Sequence, residues 1–210
     1  MVSALPSSDR GPMINVVIVD DHHAVRLGLQ TALRAEPGLV PVGTASGSEE
    51  LDPMLYRTAP DVVLLDYYLD GEDGLTLCRR IKSDAPAPAV VLYSAFADGS
   101  LIVPAIVAGA DGIVHKGVPA LELFEAIRQV ARGHSALPPA SAALLDAAAL
   151  ALEPEDLPIL GLLMDHTPLT EIMETLAIER VELNRRVHRM LQALRSKAVP
   201  RHAAQETSAA

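Results

Sequence analysis

The chain of 210 residues has one cysteine, Cys78. No intramolecular disulfide can form, which suits a reducing compartment, and no cysteine cluster is available for zinc. The histidines do not replace one. His22 and His23 are adjacent, so their side chains diverge on a helix, and His115, His134 and His166 have no partner at ligand spacing. Cys78 lies with Leu75, Leu77 and Ile81 in a helical pattern and reads as an inert buried thiol. No run approaches the roughly 20 uninterrupted apolar residues of a membrane span. The start, MVSALPSSDRGP, lacks the basic residues and apolar stretch of a signal peptide. The expectation is a cytoplasmic protein without a membrane partner. A G-x-x-x-x-G-K phosphate loop is also absent, which argues against an ATPase output.

Half of the residues are apolar and about a fifth are charged, with a formal net charge of −10. That composition excludes a disordered chain and provides core for one large domain or two small ones. The charge is uneven. Residues 1–134 hold ten Lys/Arg against seventeen Asp/Glu, whereas residues 176–201 hold seven against two. A local basic stretch on an acidic protein can be an electrostatic footprint for nucleic acid.

Short runs rich in Val, Ile and Leu at 14–19, 39–43, 61–65, 89–93 and 112–114 alternate with helical patterns near 23–35, 48–58, 74–83, 98–108 and 118–132. Runs apolar on both faces, alternating with helices, predict a doubly wound α/β fold with a five-stranded parallel sheet. The segment HSALPPASAALLDAAALALEP then reads as a linker with a short helix at 141–150. Helical patterns at 154–164, 169–176 and 180–197 follow, the last two reading as a helix–turn–helix. The expected organisation is an α/β domain over 13–133, a linker over 134–151 and a small all-α domain over 152–199.

Ligands of such a sheet bind beyond the carboxyl ends of the strands. Asp20 and Asp21 end the first strand, Asp66 the third and Ser94 the fourth, and Lys116 closely follows the fifth. Clustered carboxylates call for a cation, and hard oxygens on an exposed edge suit Mg²⁺ completed by a phosphoryl oxygen. A lysine and a hydroxyl beside them would contact that phosphoryl group. Phosphoryl transfer to an aspartate follows.

The segments VIVDDHHAVRLGL (17–29), DVVLLD (61–66), VLYSA (91–95) and GADGIVHK (109–116) resemble the receiver domain of two-component response regulators. The resemblance covers about residues 13–133 and implies a flavodoxin-like fold, with Asp66 accepting a phosphoryl group from a sensor histidine kinase. It implies that Asp21, Asp66 and the backbone carbonyl of Tyr68 bind Mg²⁺, with Asp20 acting through water. Ser94 and Lys116 would touch the phosphoryl group. Two positions depart from the family. Ile113 stands where an aromatic side chain usually reads out phosphorylation, and Asp70 replaces a common proline in the acidic loop Asp70-Gly71-Glu72-Asp73, adding negative charge near the site. The haloacid-dehalogenase-like phosphatases share the aspartate nucleophile, but their second acid two residues later is Tyr68 here.

Residues 152–194 resemble a LuxR-type (NarL/FixJ-like) helix–turn–helix. The resemblance rests on Leu152 and Pro154, Ile159, Leu160, Leu162 and Leu163, then Glu171, Ile172, Leu176 and Ile178, then Val181, Leu183, Val187, Met190 and Leu194. It implies DNA binding and regulation of transcription, not an enzyme. Arg180, Arg185, Arg186 and Arg189 on or beside its third helix are the candidate DNA contacts. Glu182 and Asn184 stand where the family has a small hydroxyl and a basic residue, which weakens the electrostatic attraction. Pro158 is expected to bend or shorten the first helix, and His166-Thr167-Pro168 to end it without the left-handed cap that glycine makes easy. The tail RSKAVPRHAAQETSAA offers Pro200 as a helix start but no leucine or isoleucine, so a homodimer would need another surface. A phosphorylation-independent regulator and a protein-binding output remain as alternatives.

Overall fold

The computed structural model describes residues 13–83, 86–95, 97 and 99–198. The expectations placed on the first twelve residues and on Pro200 lie outside them. In chain order the first elements are β1 (Ile14–Val19), α1 (His23–Ala35), β2 (Leu39–Ala45), α2 (Ser48–Thr58), β3 (Val62–Leu65), β4 (Tyr68–Leu69) and β5 (Glu72–Asp73). Then come α3 (Gly74–Ser83), β6 (Ala89–Ser94), α4 (Gly99–Ala108), β7 (Gly112–His115), α5 (Ala120–Ala131) and α6 (Ala142–Ala149). A 3₁₀ turn (Pro154–Asp156), α7 (Leu157–Met164), α8 (Leu169–Leu176) and α9 (Arg180–Ala198) complete it.

Five strands form one parallel sheet in the order β2-β1-β3-β6-β7. The two-residue strands β4 and β5, which the apolar pattern did not announce, pair as a separate antiparallel hairpin. Successive strand residues point to opposite faces. Val16, Ile18, Val62, Leu64 and Val91 pack with Leu29 and Leu33 of α1 and with Leu123, Phe124 and Ile127 of α5. Val17, Val19, Val63, Leu65, Val90 and Leu92 pack with α2, α3 and α4 on the other face. Chain direction reverses its progress across the sheet at β1, which lies between β2 and β3. The carboxyl ends of β1 and β3 therefore flank the ligand crevice of this topology.

The α2–α3–α4 face continues outward. Its core cluster also contains Ile159, Leu160 and Leu163 of α7, Ile172 of α8, and Leu183, Val187, Met190, Leu191 and Leu194 of α9. Helix α4 explains the continuity: it carries no charge, and every residue from Leu101 to Ala108 is buried. A helix apolar all round must be covered all round. The sheet side covers one face, and α6, α7 and α9 cover the rest, with α9 its closest helical partner. The linker participates as well. Ala136 donates to the carbonyl of Asp111 at 2.7 Å, beside the β7 edge, and Ser141 caps α6 by accepting from Leu144 N.

Of two expectations about α7, the first holds in part, since the α-helix starts three residues later than the 154–164 pattern, and the second is corrected. Pro158 does not bend a helix interior, because the segment before it is a 3₁₀ turn and α7 begins at Leu157. There the missing N–H is one that no helix would use. The end of α7 does have a left-handed cap, made by His166 at φ +55°. His166 N donates to Leu163 O and Thr167 N to Leu162 O, the paired bonds of a Schellman ending. Ala177, at φ +49°, ends α8 in the same way and forms the turn into α9.

Candidate functional site

The site is assembled by backbone pairing beyond the strand ends. Asp66 N donates to Val19 O at 2.8 Å, tying the end of β3 to β1, and Lys116 N donates to Ser94 O at 2.9 Å, tying the ends of β7 and β6. Asp20 N donates to Ala45 O on the other side. These bonds hold Asp20, Asp66, Ser94 and Lys116 on one edge. Asp20, Asp66 and Ser94 are all buried, at 1%, 5% and 0% exposure, which is unusual for carboxylates and demands partners.

Lys116 is the partner. Its Nζ donates to Asp20 Oδ2 at 2.7 Å and to Asp66 Oδ2 at 2.6 Å. Burial raises the pKa of Asp66 above the ordinary carboxylate value, and the Lys116 ammonium acts in the opposite direction. Burial alone would lower that of Lys116, but its bonds to Asp20 and Asp66 outweigh the effect and raise it. Asp20 Oδ1 accepts from His22 N at 2.8 Å at the start of α1, and Asp21 Oδ1 lies 2.6 Å from His22 Nδ1. Ligand atoms of Asp20, Asp21, His22 and Asp66 all lie within 4.8 Å of one another. The three carboxylates supply the oxygen donors that a hard divalent cation takes, whereas the exposed His22 imidazole is not a ligand of that kind. Tyr68 N lies 3.4 Å from Asp66 Oδ1, so the residue expected to supply a carbonyl ligand adjoins the same carboxylate.

Several residues at the site were not singled out for it from the sequence. Arg26 Nη1 donates to the carbonyls of Asp20 (2.5 Å) and Asp21 (2.9 Å), bracing the acidic pair from α1. Gly74 N donates to Tyr67 O, and a Cβ at Gly74 would overlap the Asp66 carbonyl oxygen and Tyr67 Cα. Only glycine allows that close approach. Tyr93 lies beside Lys116, its ring centroid 5.9 Å from Nζ and its hydroxyl 3.4 Å from Lys116 O. The aromatic ring at the site thus comes from β6, while Ile113 of β7 packs against the α4-side core. Two acids of the 70–73 loop are committed elsewhere: Glu72 accepts from Ser48 N at α2, and Asp73 accepts from Thr76 N and Oγ1 at α3.

Of the α9 arginines, Arg185, Arg186 and Arg189 gather around Glu182 and Glu155, while Arg180 bonds α3. Arg180 donates to Ser83 O at the end of α3. Arg185 and Arg186 both bind Glu182, whose pKa their bonds lower to about 2. Arg189 pairs with Glu155 and with the fully buried Asp156. Asn184, on the same helix, accepts from buried Arg79 of α3 at 2.6 Å. Contacts from Arg180 to Ser83, Asn184 to Arg79 and Arg195 to Asp73 place α9 antiparallel along α3.

Among the described residues, no helix is long and apolar enough to cross a membrane. The chain is 34% identical over 125 residues to the transcriptional regulatory protein LiaR of Bacillus subtilis, covering 60% of this chain and 59% of that protein. It is 36% identical over 133 residues to the DNA-binding transcriptional activator DevR/DosR of Mycobacterium tuberculosis, covering 63% and 61%. The matched stretch thus spans about three fifths of these relatives. A crystal structure of a LuxR-family two-component response regulator from Aurantimonas is similar with a TM-score of 0.57 at 28% identity, covering 66% of this chain and 99% of that one. RcsB from Salmonella enterica serovar Typhimurium, bound to promoter rprA, shares the fold over 88% of this chain and 99% of that chain, with a TM-score of 0.56 at 22% identity. Residues 16–128 match the response regulator receiver domain, and the chain belongs to that family.

Proposed function

We propose that this chain is a two-component response regulator phosphorylated on Asp66 by a sensor histidine kinase, with a LuxR-type output that regulates transcription by binding DNA. The observation that carries the reading is Lys116 Nζ, from beyond β7, spanning Asp20 and Asp66 at the ends of the neighbouring strands β1 and β3. Asp66 is the nucleophile: a carboxylate oxygen attacks the donor phosphorus, the donor's leaving group departs, and an acyl phosphate forms. Lys116 neutralises phosphoryl charge and the Ser94 hydroxyl donates to a phosphoryl oxygen. Asp20, Asp21, Asp66 and the Tyr68 carbonyl would hold Mg²⁺, which when bound supplies further charge neutralisation for the phosphoryl oxygens. The domain limits 13–133, 134–151 and 152–199 belong to the same reading.

Arg180, Arg185, Arg186 and Arg189 are the proposed DNA contacts. Arg180 is held by Ser83 O of α3, so its use on DNA requires α9 to leave α3, whereas for Arg185, Arg186 and Arg189 a phosphate competes with Glu182, Glu155 and Asp156; phosphorylation shifts that balance only if the two states differ in affinity. Labelling with a small phosphodonor tests the first half: wild type takes up phosphate and Asp66→Asn takes up none. DNA binding over a salt series, with and without beryllofluoride, tests the second, since phosphate contacts give a steep loss with salt. The coverage of α4 by α9 favours one further reading, an output that stays docked and binds a protein partner. Salt-insensitive behaviour without DNA binding would select it.

A further inference from the structure

We infer that Arg195, near the end of α9, is a positioning residue for the phosphorylation site, clamping the hairpin between Asp66 and α3. This inference rests on the proposed role of Asp66. The hairpin is short and tightly specified. Tyr68 pairs with Asp73 and Leu69 with Glu72, and Asp70-Gly71 forms the turn, with Gly71 at φ +72°. Its position fixes where the Tyr68 carbonyl stands relative to Asp66. Two anchors hold it from within the α/β domain: Glu72 at the start of α2 and Asp73 at the start of α3.

The third anchor comes from the far end of the sequence. Arg195 Nη1 lies 3.1 Å from Asp73 Oδ2, and Asp73 is only 13% exposed in its side chain. The Arg195 charge also acts on the Tyr67 hydroxyl, opposing the rise that burial causes in its pKa, and Tyr67 is itself 5% exposed. The guanidinium thus holds Asp73, directly across the hairpin from Tyr68, which adjoins the phosphoacceptor through its N–H. The lengthwise contacts of α9 along α3, from Arg180–Ser83 and Asn184–Arg79 at one end, deliver Arg195 to the start of α3. A coupling of this kind is reciprocal: whatever tightens the hairpin around a cation or phosphoryl group changes the hold on α9 by the same factor.

The test uses the full chain and four variants: Arg195→Ala, Arg195→Lys, Asp73→Asn and the Arg195→Ala/Asp73→Asn pair. Asn is nearly as good a helix cap as Asp, so Asp73→Asn removes the ion pair and keeps the start of α3. Acetyl phosphate labelling is measured against Mg²⁺ concentration, and Mg²⁺ binding is measured separately by tyrosine emission, which no tryptophan obscures. Half-saturating Mg²⁺ is expected to rise about two- to fivefold in Arg195→Ala and Asp73→Asn, the range of a partly exposed ion pair, with no further rise in the double variant. Arg195→Lys should fall between wild type and Arg195→Ala, and the labelling rate at saturating Mg²⁺ should stay within about twofold of wild type. Unchanged half-saturation in both single variants, or independent effects that multiply in the double, overturns the clamp. Failure of wild type to label while the emission titrations still separate the variants would sink the phosphoacceptor reading and leave the clamp standing.

Discussion

The edge of the sheet and helix α9 both concentrate charge, but they resolve it in opposite ways. At the edge, carboxylates from β1 and β3 and an ammonium from beyond β7 are driven together, and one lysine serves two buried acids. On α9, the arginines find partners at several places: Arg185 and Arg186 share Glu182 one turn away, Arg186 and Arg189 reach the 3₁₀ turn, and Arg180 and Arg195 meet the two ends of α3. Convergence leaves a cluster poised for a ligand. Pairing leaves a helix whose charges are held by groups of its own and of its neighbours, and whose availability to a polyanion depends on competing with those groups.

The largest test of this contrast lies at the edge. Asp66→Asn should abolish phosphate uptake from a small phosphodonor, while Arg185→Ala/Arg186→Ala should leave uptake unchanged, since neither arginine reaches the site. Equal loss in both would erase the distinction. Next in size is the shared core. Met190→Ala, at a fully buried position of α9, should destabilise the whole chain by about 2–5 kcal/mol in urea unfolding. A single transition seen by both secondary-structure and tyrosine signals is expected, and separate transitions would show that α9 is not continuous with the sheet's core.

A smaller effect is expected at Gly74, where a methyl group must displace the backbone beneath Asp66. Gly74→Ala should cost about 1–3 kcal/mol and impair phosphate uptake beyond that loss of stability. Smallest, and opposite in sign, is Ala177→Gly at the left-handed turn between α8 and α9. It should stabilise by up to about 1 kcal/mol, because glycine removes the Cβ strain at φ +49°. A destabilised Ala177→Gly would mean that the turn is held by contacts other than its own backbone.

Much of the edge was legible in advance. Short continuous apolar runs separated by helical patterns place strand ends, and residue types at strand ends declare a site because topology brings those ends together. The short hairpin was not legible, since Tyr68–Leu69 and Glu72–Asp73 are too brief to show a period. Gly74 looked like any helix-flanking glycine, as nothing in its neighbours reveals that Asp66 O lies against it. The apolar length of α4, eight buried residues from Leu101 to Ala108, was a visible sign that a further layer covers it, but not which helix would do so.

The sequence by itself determined the sheet, the edge that carries Asp20, Asp21, Asp66, Ser94 and Lys116, and the helical character of the C-terminal region. These follow from local periodicity and from the fixed geometry of parallel β–α units. Only the tertiary structure decided that α9 lies antiparallel to α3, that Arg189 meets Asp156, and that Arg195 meets Asp73. Ion pairs between helices depend on packing angle and on which faces meet, and neither is encoded by the spacing of charges within one helix.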